Sequence, residues 1–311
     1  MTSLLLASKK DLASLNIFNA LLELGTWSQS EKFPHGEVYT HQHKDVQLLK
    51  ISKLHIYADD IDLEHSSLTN KSVDEVIVLS RHVSSTNIPA LTLHAIGIPG
   101  ELPYGVPGKA GGIKGTLIPP STRFSALFRS MSSKARKLGL QNNYDITMEA
   151  THHGPVLNSP TIYIEIGSTE DEWSDPIAST IWAESISDCL GLSGGEELGK
   201  WEGAGKVMIG LGGGHYVPRH KDIVSNSDVW LGHLIASYSL TFERDENIDN
   251  YPQGTWRHSI ISAIESTIYS YPGGDIFVHL DRKSFKGWQR DAIHKLLTEQ
   301  KIPILRKKEI I

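Results

Sequence analysis

The sequence predicts an α/β fold with a mostly parallel or mixed central sheet and helices on both of its faces. Eight short apolar segments are typical of strands, and between them lie segments in which apolar residues recur every three or four positions. Several of the strand segments are nearly continuous apolar runs, as expected when both faces of a strand are covered. This alternation of strands and helices indicates an α/β architecture.

The predicted strands cover residues 3–8, 46–51, 75–80, 90–97, 145–150, 161–167, 206–212 and 275–280. Helices are predicted at 121–139, 174–191 and 255–274, and a last one from about 284 to 300. The first helix has one apolar face and ends at Gly139. The second has Ser174 as its expected N-cap and Pro176 in its first turn. In the third, an isoleucine stripe ends before Pro272.

The chain has 311 residues, of which 39% are hydrophobic and 21% charged, which is typical of a globular protein. We predict one α/β domain over residues 1–311, in which the glycine- and proline-rich segment 101–120 is a possible lid or binding loop. Neither a signal peptide nor a run of about 18 apolar residues is present, so we expect a cytoplasmic protein without a membrane span. Cys189, the only cysteine, is interpreted as a buried apolar residue and excludes a thiolate metal cluster.

Polar and glycine-rich sequences follow five of the predicted strands. They are SRH at 80–82, HAIGIPG at 94–100, THHGP at 151–155, IGSTE at 166–170 and GGGHYVPRH at 212–220. If the strands are parallel, these exits converge on one crevice, because ligands of open α/β sheets bind beyond the carboxyl ends of the strands.

THHGP and GGGHYVPRH carry the strongest indications of chemistry. His152 or His153 is a candidate metal ligand or general base, provided that the chain turns at Gly154; the alternative is a histidine bonded to a backbone carbonyl beneath a turn. The N–H groups of residues 212–214 can approach an anion closely. His215, Arg219 and His220 add a base or ligand and an anion donor, although a glycine run also occurs in ordinary turns.

Other polar residues are more ambiguous. Glu165 lies in an apolar strand, where it is expected to pair with a cation or metal unless the strand is at a solvent edge. His82, next to Arg81, and His94 carry a similar ambiguity. His233 is interpreted as a helix residue, either functional or a satisfied core histidine. Five histidines in polar surroundings are expected at the surface: His35, His41, His43, His55 and His65.

The formal charge of −6 argues against a protein that coats nucleic acid non-specifically. Any contact with RNA must therefore be made by a local basic surface. Three clusters of basic residues could contact RNA phosphates, although each could equally be an ordinary solvated surface. They are Arg123, Arg129, Lys134, Arg136 and Lys137 on the first helix; Lys301, Arg306, Lys307 and Lys308 near the end; and Lys109 and Lys114 in the glycine-rich loop.

No predicted strand is followed by a nucleophile elbow, and an HExxH motif and a P-loop lysine are absent, which leaves water activated by histidine, by a metal or by both as the expected nucleophile. The motifs SRH, HAIGIPG, ATHHGP, IEIGSTE and LGGGHYVPRH, in this order, resemble those of archaeal and plant D-aminoacyl-tRNA deacylases. The resemblance spans most of the chain, from about Ser80 through His233, and continues more loosely over 280–293.

This resemblance implies hydrolysis of the ester between a D-amino acid and the 3′-terminal ribose of tRNA, a zinc requirement, and a fold related to phosphorylases and peptidyl-tRNA hydrolases. The implied partner is the acceptor end of D-aminoacyl-tRNA, and we expect a monomer or dimer. Two rival interpretations remain: a metal-dependent hydrolase or phosphorylase acting on a nucleoside or small ester, and a non-catalytic RNA- or nucleotide-binding protein.

On this basis each candidate residue receives an expected role. The expected catalytic residues are His152, His153, His215 and Arg219. The expected zinc ligands are His152, His153, His215, His220 and Glu165. The expected substrate-binding residues are Arg81, His82, His94, Lys109, Lys114 and the glycines Gly212, Gly213 and Gly214, whose N–H groups would stabilise an oxyanion.

Overall fold

A computed structural model describes residues 2–100, 111–244 and 251–311. The strands in this part are β1 (Thr2–Ser8), β2 (Glu31–Phe33), β3 (Gly36–Thr40), β4 (Val46–Ile51), β5 (Val73–His82), β6 (Ala90–His94), β7 (Asp145–Ile146), β8 (Thr161–Gly167), β9 (Lys206–Leu211), β10 (Trp230–Ile235) and β11 (Asp275–Leu280). The helices are α1 (Leu12–Leu24), α2 (Ile61–Thr69), α3 (Phe124–Lys137), α4 (Glu170–Trp173), α5 (Pro176–Leu190), α6 (Pro218–Ser225), α7 (Trp256–Ser270), α8 (Gly287–Glu299) and α9 (Lys307–Ile310).

The larger of two sheets has eight strands in the order β2-β3-β4-β1-β5-β8-β6-β7. Its four central strands, β4, β1, β5 and β8, are parallel, whereas β3 is antiparallel to β4 and β6 is antiparallel to β8. The predicted mixed α/β sheet is therefore confirmed.

Alternate side chains of the central strands point to opposite faces of this sheet. Leu5 and Ile77 belong to the core beneath α1, α3 and α5. On the other face, Leu6 and Val78 share a smaller core with Ile61 of α2. Because both faces are covered, the central strands are almost wholly apolar, and the prediction of helices on both faces is confirmed.

The second sheet has three parallel strands in the order β10-β9-β11. One face packs against apolar residues of α7 and α8, such as Ile260 and Ile293. The other face contributes Met208 and Phe277 to the same core that lies beneath α1, α3 and α5. The two sheets therefore share apolar contacts.

Residues 147–151 connect the two sheets by backbone hydrogen bonds. Thr147 and Glu149 donate to the carbonyls of Leu91 and Leu93 in β6, at 3.0 and 3.1 Å. The next two residues donate to the other side, Ala150 to the carbonyl of His215 and Thr151 to that of Leu234 in β10, at 2.8 and 2.7 Å. This segment is therefore fixed at the seam between the sheets.

Three local predictions are corrected. The strand predicted at 145–150 ends at Ile146, because the following residues bond to two sheets in turn. Asp175, not Ser174, caps α5 and accepts the N–H groups of Ile177 and Ala178. The segment around His233 is strand β10, not a helix, because a short apolar run fits either structure by periodicity.

His233 and Cys189 are both core residues. The two ring nitrogens of His233 lie 3.0 and 3.1 Å from the hydroxyls of Thr151 and Ser266, so the interpretation as a satisfied core histidine is confirmed. Cys189 is fully buried, as predicted, and burial raises the pKa of its thiol to about 12. No helix in residues 2–100, 111–244 or 251–311 combines the length and hydropathy that crossing a membrane requires.

The prediction that His41, His55 and His65 lie at the surface is wrong, because all three are buried. His41 packs edge-on against Trp27, and the Nε2 atom of His55 lies 3.3 Å from the carboxylate of Asp11. Polar neighbours in sequence misled the prediction, since burial of these rings depends on distant residues.

His65, on α2, predicts a pH-dependent contribution to stability. Its Nε2 contacts Oε1 of Gln47 at 2.8 Å and its Nδ1 contacts Nε2 of His35 at 2.9 Å. Burial, assisted by the charge of His35, lowers the pKa of His65 to about 4, whereas an unfolded histidine titrates near 6.5. The stability gained by keeping this ring neutral is present above pH 6.5 and is lost as the pH falls toward 4.

We therefore expect the stability difference between wild type and a His65→Gln variant to shrink by roughly 2–4 kcal/mol between pH 7 and pH 4. Urea unfolding of both proteins across this pH range measures the difference. A difference that stays constant with pH would contradict the assigned role of His65.

Candidate active site

Strand alternation places three candidate residues on one face of the larger sheet. His82 at the end of β5, Glu165 in β8 and His94 at the end of β6 all lie on the face that carries Tyr163. The predicted convergence at one edge was conditional on parallel strands, and this condition is not met for β6, which is antiparallel to β8. The residues converge because they share a face and neighbouring positions on adjacent strands, not because all five strand exits meet at one edge.

Glu165 is buried rather than at a solvent edge. Its carboxylate lies 3.2 Å from Nδ1 of His82 and 3.8 Å from Nε2 of His94. Burial alone would raise the pKa of Glu165, but its contacts with these two imidazoles hold it well below the usual range. Glu165 is therefore an ionised buried carboxylate, which requires such partners.

A second buried carboxylate, Glu149, was not predicted. It comes from the connecting segment, is fully buried, and lies 2.6 Å from Nε2 of His215, 3.2 Å from Nδ1 of His82 and 3.7 Å from Nε2 of His152. Burial opposes ionisation, but the contact with His215 and the charge of His82 lower its pKa to about 2. The signal was present, since Glu149 is a carboxylate within an apolar run, as Glu165 is.

His82 lies between the two carboxylates. Burial opposes its protonation, but Glu165 and Glu149 outweigh that effect and raise its pKa to about 9. Its Nε2 contacts the hydroxyl of Tyr216 at 3.1 Å. His82 is thus an imidazolium that offsets part of the buried negative charge.

Three imidazoles form a group that can hold a metal ion: His94, His152 and His153, whose candidate ligand atoms lie within 4.8 Å of one another. Their Nδ1 atoms lie 3.0, 2.8 and 2.6 Å from backbone carbonyls. Because these contacts place a proton on Nδ1, Nε2 of the neutral rings of His152 and His153 retains its lone pair. His153 has a φ of 48°, and this turn brings its ring to 4.5 Å from that of His152.

The electrostatics of this group suit a cation. Burial and the neighbouring His94 lower the pKa of His153 to about 3 and that of His152 well below its usual range, so both rings are neutral. Burial opposes protonation of His94, but Glu165 raises its pKa. Among the described residues, Nε2 of His94 is buried without a hydrogen-bond partner. The oxygens of Glu149 face imidazole nitrogens of His82, His152 and His215. Neutral imidazole nitrogens with adjacent carboxylates are donors that zinc accepts.

His215 lies at the mouth of this cluster, where its side chain is 25% exposed. One nitrogen, Nε2, faces Glu149, and the other, Nδ1, lies 3.1 Å from the hydroxyl of Tyr238. Its ring centroid is 4.8 Å from that of His152. Three of the four imidazoles that were predicted to meet, His152, His153 and His215, are therefore together.

His220 does not join them. It lies on α6 and is fully buried, with its Nδ1 2.9 Å from Nδ1 of His279 and its Nε2 3.3 Å from the carbonyl of Gly212. Because α6 begins at Pro218, His220 points toward β9, where a Cβ on Gly210 would lie 2.9 Å from its ring. His279 had no predicted role.

The backbone N–H groups of the glycine run 212–214 are less available to an oxyanion than predicted. The N–H of Gly212 donates to the carbonyl of Ile235 at 2.8 Å, and that of Gly213 donates to Oγ of Ser284 at 2.7 Å. Within the described residues, the N–H of Gly214 has no protein acceptor and stays a candidate oxyanion donor. Arg219 pairs with Asp281 at 2.6 Å, outside the buried cluster.

Two of the remaining predicted substrate contacts, Arg81 and Lys114, lie within the described residues. The guanidinium of Arg81 stacks on Trp173 at 5.0 Å, while its backbone N–H donates to Asp11. Lys114 forms a β-bridge with Ile98. Lys109 and residues 101–110 of the predicted lid lie outside the described residues.

The end of the glycine-rich loop packs directly on the turn that follows His153. A Cβ on Gly154 would overlap the backbone nitrogen of Gly112 and would lie 2.8 Å from Gly111 C. Gly112 itself has a φ of +75°. Close backbone contact at this point therefore requires glycine at position 154.

The basic residues predicted on α3 are mostly structural. Arg123 is buried and pairs with Glu75 at 2.7 Å and with Glu197 at 2.9 Å. Arg129 donates to the backbone carbonyls of Val224, Ser227 and Val229. Lys134 pairs with Glu184 and Asp188. Of this cluster, only Arg136 and Lys137 form no ion pair or side-chain hydrogen bond within residues 2–100, 111–244 and 251–311.

An α/β sheet that carries buried carboxylates, neutral imidazoles and a half-exposed histidine is typical of hydrolases that activate water. Comparison with known proteins identifies the protein family. A sequence profile for D-aminoacyl-tRNA deacylase matches residues 69–305. The chain belongs to the D-aminoacyl-tRNA deacylase family.

Two relatives are similar over more than nine-tenths of their length. A D-aminoacyl-tRNA deacylase of Arabidopsis thaliana is 42% identical over 98% of both chains. One of Methanosarcina mazei is 33% identical, covering 98% of this chain and 92% of the relative. A crystal structure of a conserved protein of unknown function shares the fold with a TM-score of 0.80 at 23% identity, covering 99% of this chain and 96% of that one.

The contact between Gly112 and Gly154 predicts that alanine is more destabilising at position 154 than at an uncrowded glycine. Gly154→Ala should lower the free energy of unfolding by about 1–3 kcal/mol, because its methyl group must displace the backbone of Gly112. Gly195→Ala is the matched control, since a Cβ there meets no atom within 4 Å. Urea unfolding of both variants checks this expectation, and equal stability of the two would contradict the packing.

Proposed function

We propose that this protein hydrolyses the ester bond of D-aminoacyl-tRNA and releases free tRNA and a D-amino acid. Membership of the family supports the reaction. The observation that carries the chemistry is the contact of Glu149 with His215, which lies at the mouth of the buried cluster and beside the three imidazoles His94, His152 and His153.

We infer that the three imidazoles hold zinc. The Nε2 lone pairs of His152 and His153, the Nε2 of His94, which has no hydrogen-bond partner among the described residues, and the adjacent carboxylates support this assignment. Bound zinc would act as a Lewis acid toward the ester carbonyl and would lower the pKa of a water molecule. His220, with its separate contacts to His279 and Gly212, is not part of this ligand set.

His215 is the best candidate for the general base. Glu149 faces Nε2 and holds a proton there, so Nδ1 carries the lone pair that accepts a proton from the attacking water. The hydroxyl of Tyr238 lies 3.1 Å from Nδ1. A hydrogen-bond donor such as the attacking water can therefore approach Nδ1 from this side. After attack on the carbonyl carbon, the protonated His215 returns the proton to the departing ribose oxygen.

The developing oxyanion needs a donor. The N–H of Gly214, one residue before His215, supports this role because it has no acceptor among the described residues. His82 and Tyr216 act behind the reacting groups: the imidazolium holds Glu149 ionised, and the hydroxyl of Tyr216 orients His82. These residues position the base rather than contact the ester.

The reaction is tested by comparing D- and L-aminoacyl-tRNA, each with and without a chelator. We expect hydrolysis of the D-ester only, loss of activity with the chelator, and recovery on addition of zinc. Equal cleavage of both esters, or of neither, would contradict the proposed reaction. Active protein that contains no metal by elemental analysis would refute zinc and leave histidine acid–base catalysis.

The role of His215 is tested by His215→Ala and Glu149→Gln. Both should lower kcat by roughly 10²–10⁴-fold, as loss of a general base does, while the affinity for uncharged tRNA stays measurable. His43→Ala, at an exposed histidine, is the control and should keep wild-type kcat. Undiminished kcat in the His215 variant would refute the assignment, as would a change in KM alone.

A further inference from the structure

A basic cleft lies beside the site, at the carboxyl edge of the three-stranded sheet. Its volume is about 520 Å³, and its lining includes five cationic side chains, Arg219, Arg282, Arg306, Lys307 and Lys308, against one carboxylate, Glu309. The whole chain carries a formal charge of −6, so this lining has the opposite sign to the protein as a whole.

Strand topology explains why these cations converge. Residues 303–305 extend the sheet, because the N–H of Val278 donates to the carbonyl of Pro303 and that of Leu305 donates to the carbonyl of Val278, both at 2.9 Å. This extension runs parallel to β11. Its exit therefore carries residues 306–308 to the same edge as Arg282, which follows β11.

Three of the cations have no carboxylate to neutralise them. Arg219 pairs with Asp281, and Lys307 pairs with Asp222. Within the part of the chain that the structure describes, Arg282, Arg306 and Lys308 form no ion pair, and all three are exposed. Exposed, unpaired cations in a cleft attract a polyanion and release its counterions on binding.

The cleft is joined to the catalytic loop. Arg219 is four residues from His215, so their Cα atoms are at most about 14 Å apart. The same loop bonds to the exit of β11 through Asp281 and Ser284. A stacked strand rises about 3.4 Å per nucleotide, so an RNA strand held at His215 reaches Arg219 at the rim of the cleft within roughly four nucleotides or fewer.

We propose that this cleft binds backbone phosphates of the tRNA acceptor stem while the 3′ end reaches His215. Arg282, Arg306 and Lys308 contact the phosphates without reading sequence. This assignment rests on the proposed function, because it takes the aminoacylated 3′ end to lie at His215.

The test uses a triple variant, Arg282→Gln/Arg306→Gln/Lys308→Gln. Its matched control, Lys32→Gln/Lys200→Gln/Lys206→Gln, removes the same charge from exposed positions on β2, between α5 and β9, and at the start of β9, outside the clusters predicted to contact RNA. Affinity for uncharged tRNA is measured between 50 and about 200 mM salt, the range in which phosphate contacts are resolved. Turnover is measured on D-aminoacyl-tRNA and on D-aminoacyl-adenosine, which lacks the stem.

For the cleft variant we expect tRNA affinity to fall about tenfold or more and the slope of log K against log salt to decrease in magnitude by about 2–3. KM for D-aminoacyl-tRNA should rise, with turnover of D-aminoacyl-adenosine unchanged. The control should keep the wild-type salt slope.

Equal effects of the two triple variants would overturn the proposal, because net charge alone would then account for them. Loss of D-aminoacyl-adenosine turnover in the cleft variant would also overturn it. If wild type cleaves neither ester, the proposed function fails, and the salt slopes still decide whether the cleft binds tRNA.

Discussion

The site depends on the burial of two carboxylates within contact distance of the same imidazole. Removing an ion from water costs several kcal/mol, so Glu149 and Glu165 can stay ionised only if positive charge and polar groups surround them. His82, whose pKa rises to about 9 between them, supplies part of that charge. The rings of His152 and His153 are neutral, so their nitrogens and the adjacent carboxylates are donors that suit a cation.

A short backbone segment fixes this arrangement. Residues 147–151 donate hydrogen bonds first to β6 and then toward β10, and the same stretch carries Glu149 and leads into His152 and His153. Because it bonds to both sheets, the imidazoles after it are positioned by two apolar cores rather than by a free loop. His215, whose carbonyl accepts the N–H of Ala150, is tied to the same seam.

Sequence reasoning predicted the parts of this structure that depend on local pattern. Apolar runs located the central strands, and the turn after His152 was anticipated from Gly154 and Pro155. Strand direction was not predictable, because the apolar pattern of β6 is the same whether it pairs with β8 in parallel or antiparallel. Glu149 and the position of His220 were missed, because the first depends on a segment bonded to two sheets and the second on where α6 begins.

The distribution of charge matches the polarity of an aminoacylated RNA end. Its phosphates are anionic, whereas the free α-amino group of the amino acid is cationic near neutral pH. The carboxylates Glu149 and Glu165 are buried, so they act over a short range on groups that enter the mouth at His215. Unpaired arginines and lysines are separated from them along the edge of the smaller sheet. If the phosphates of the substrate lie along this edge as proposed, charge placement rather than net charge is what allows an acidic protein to accept an RNA substrate.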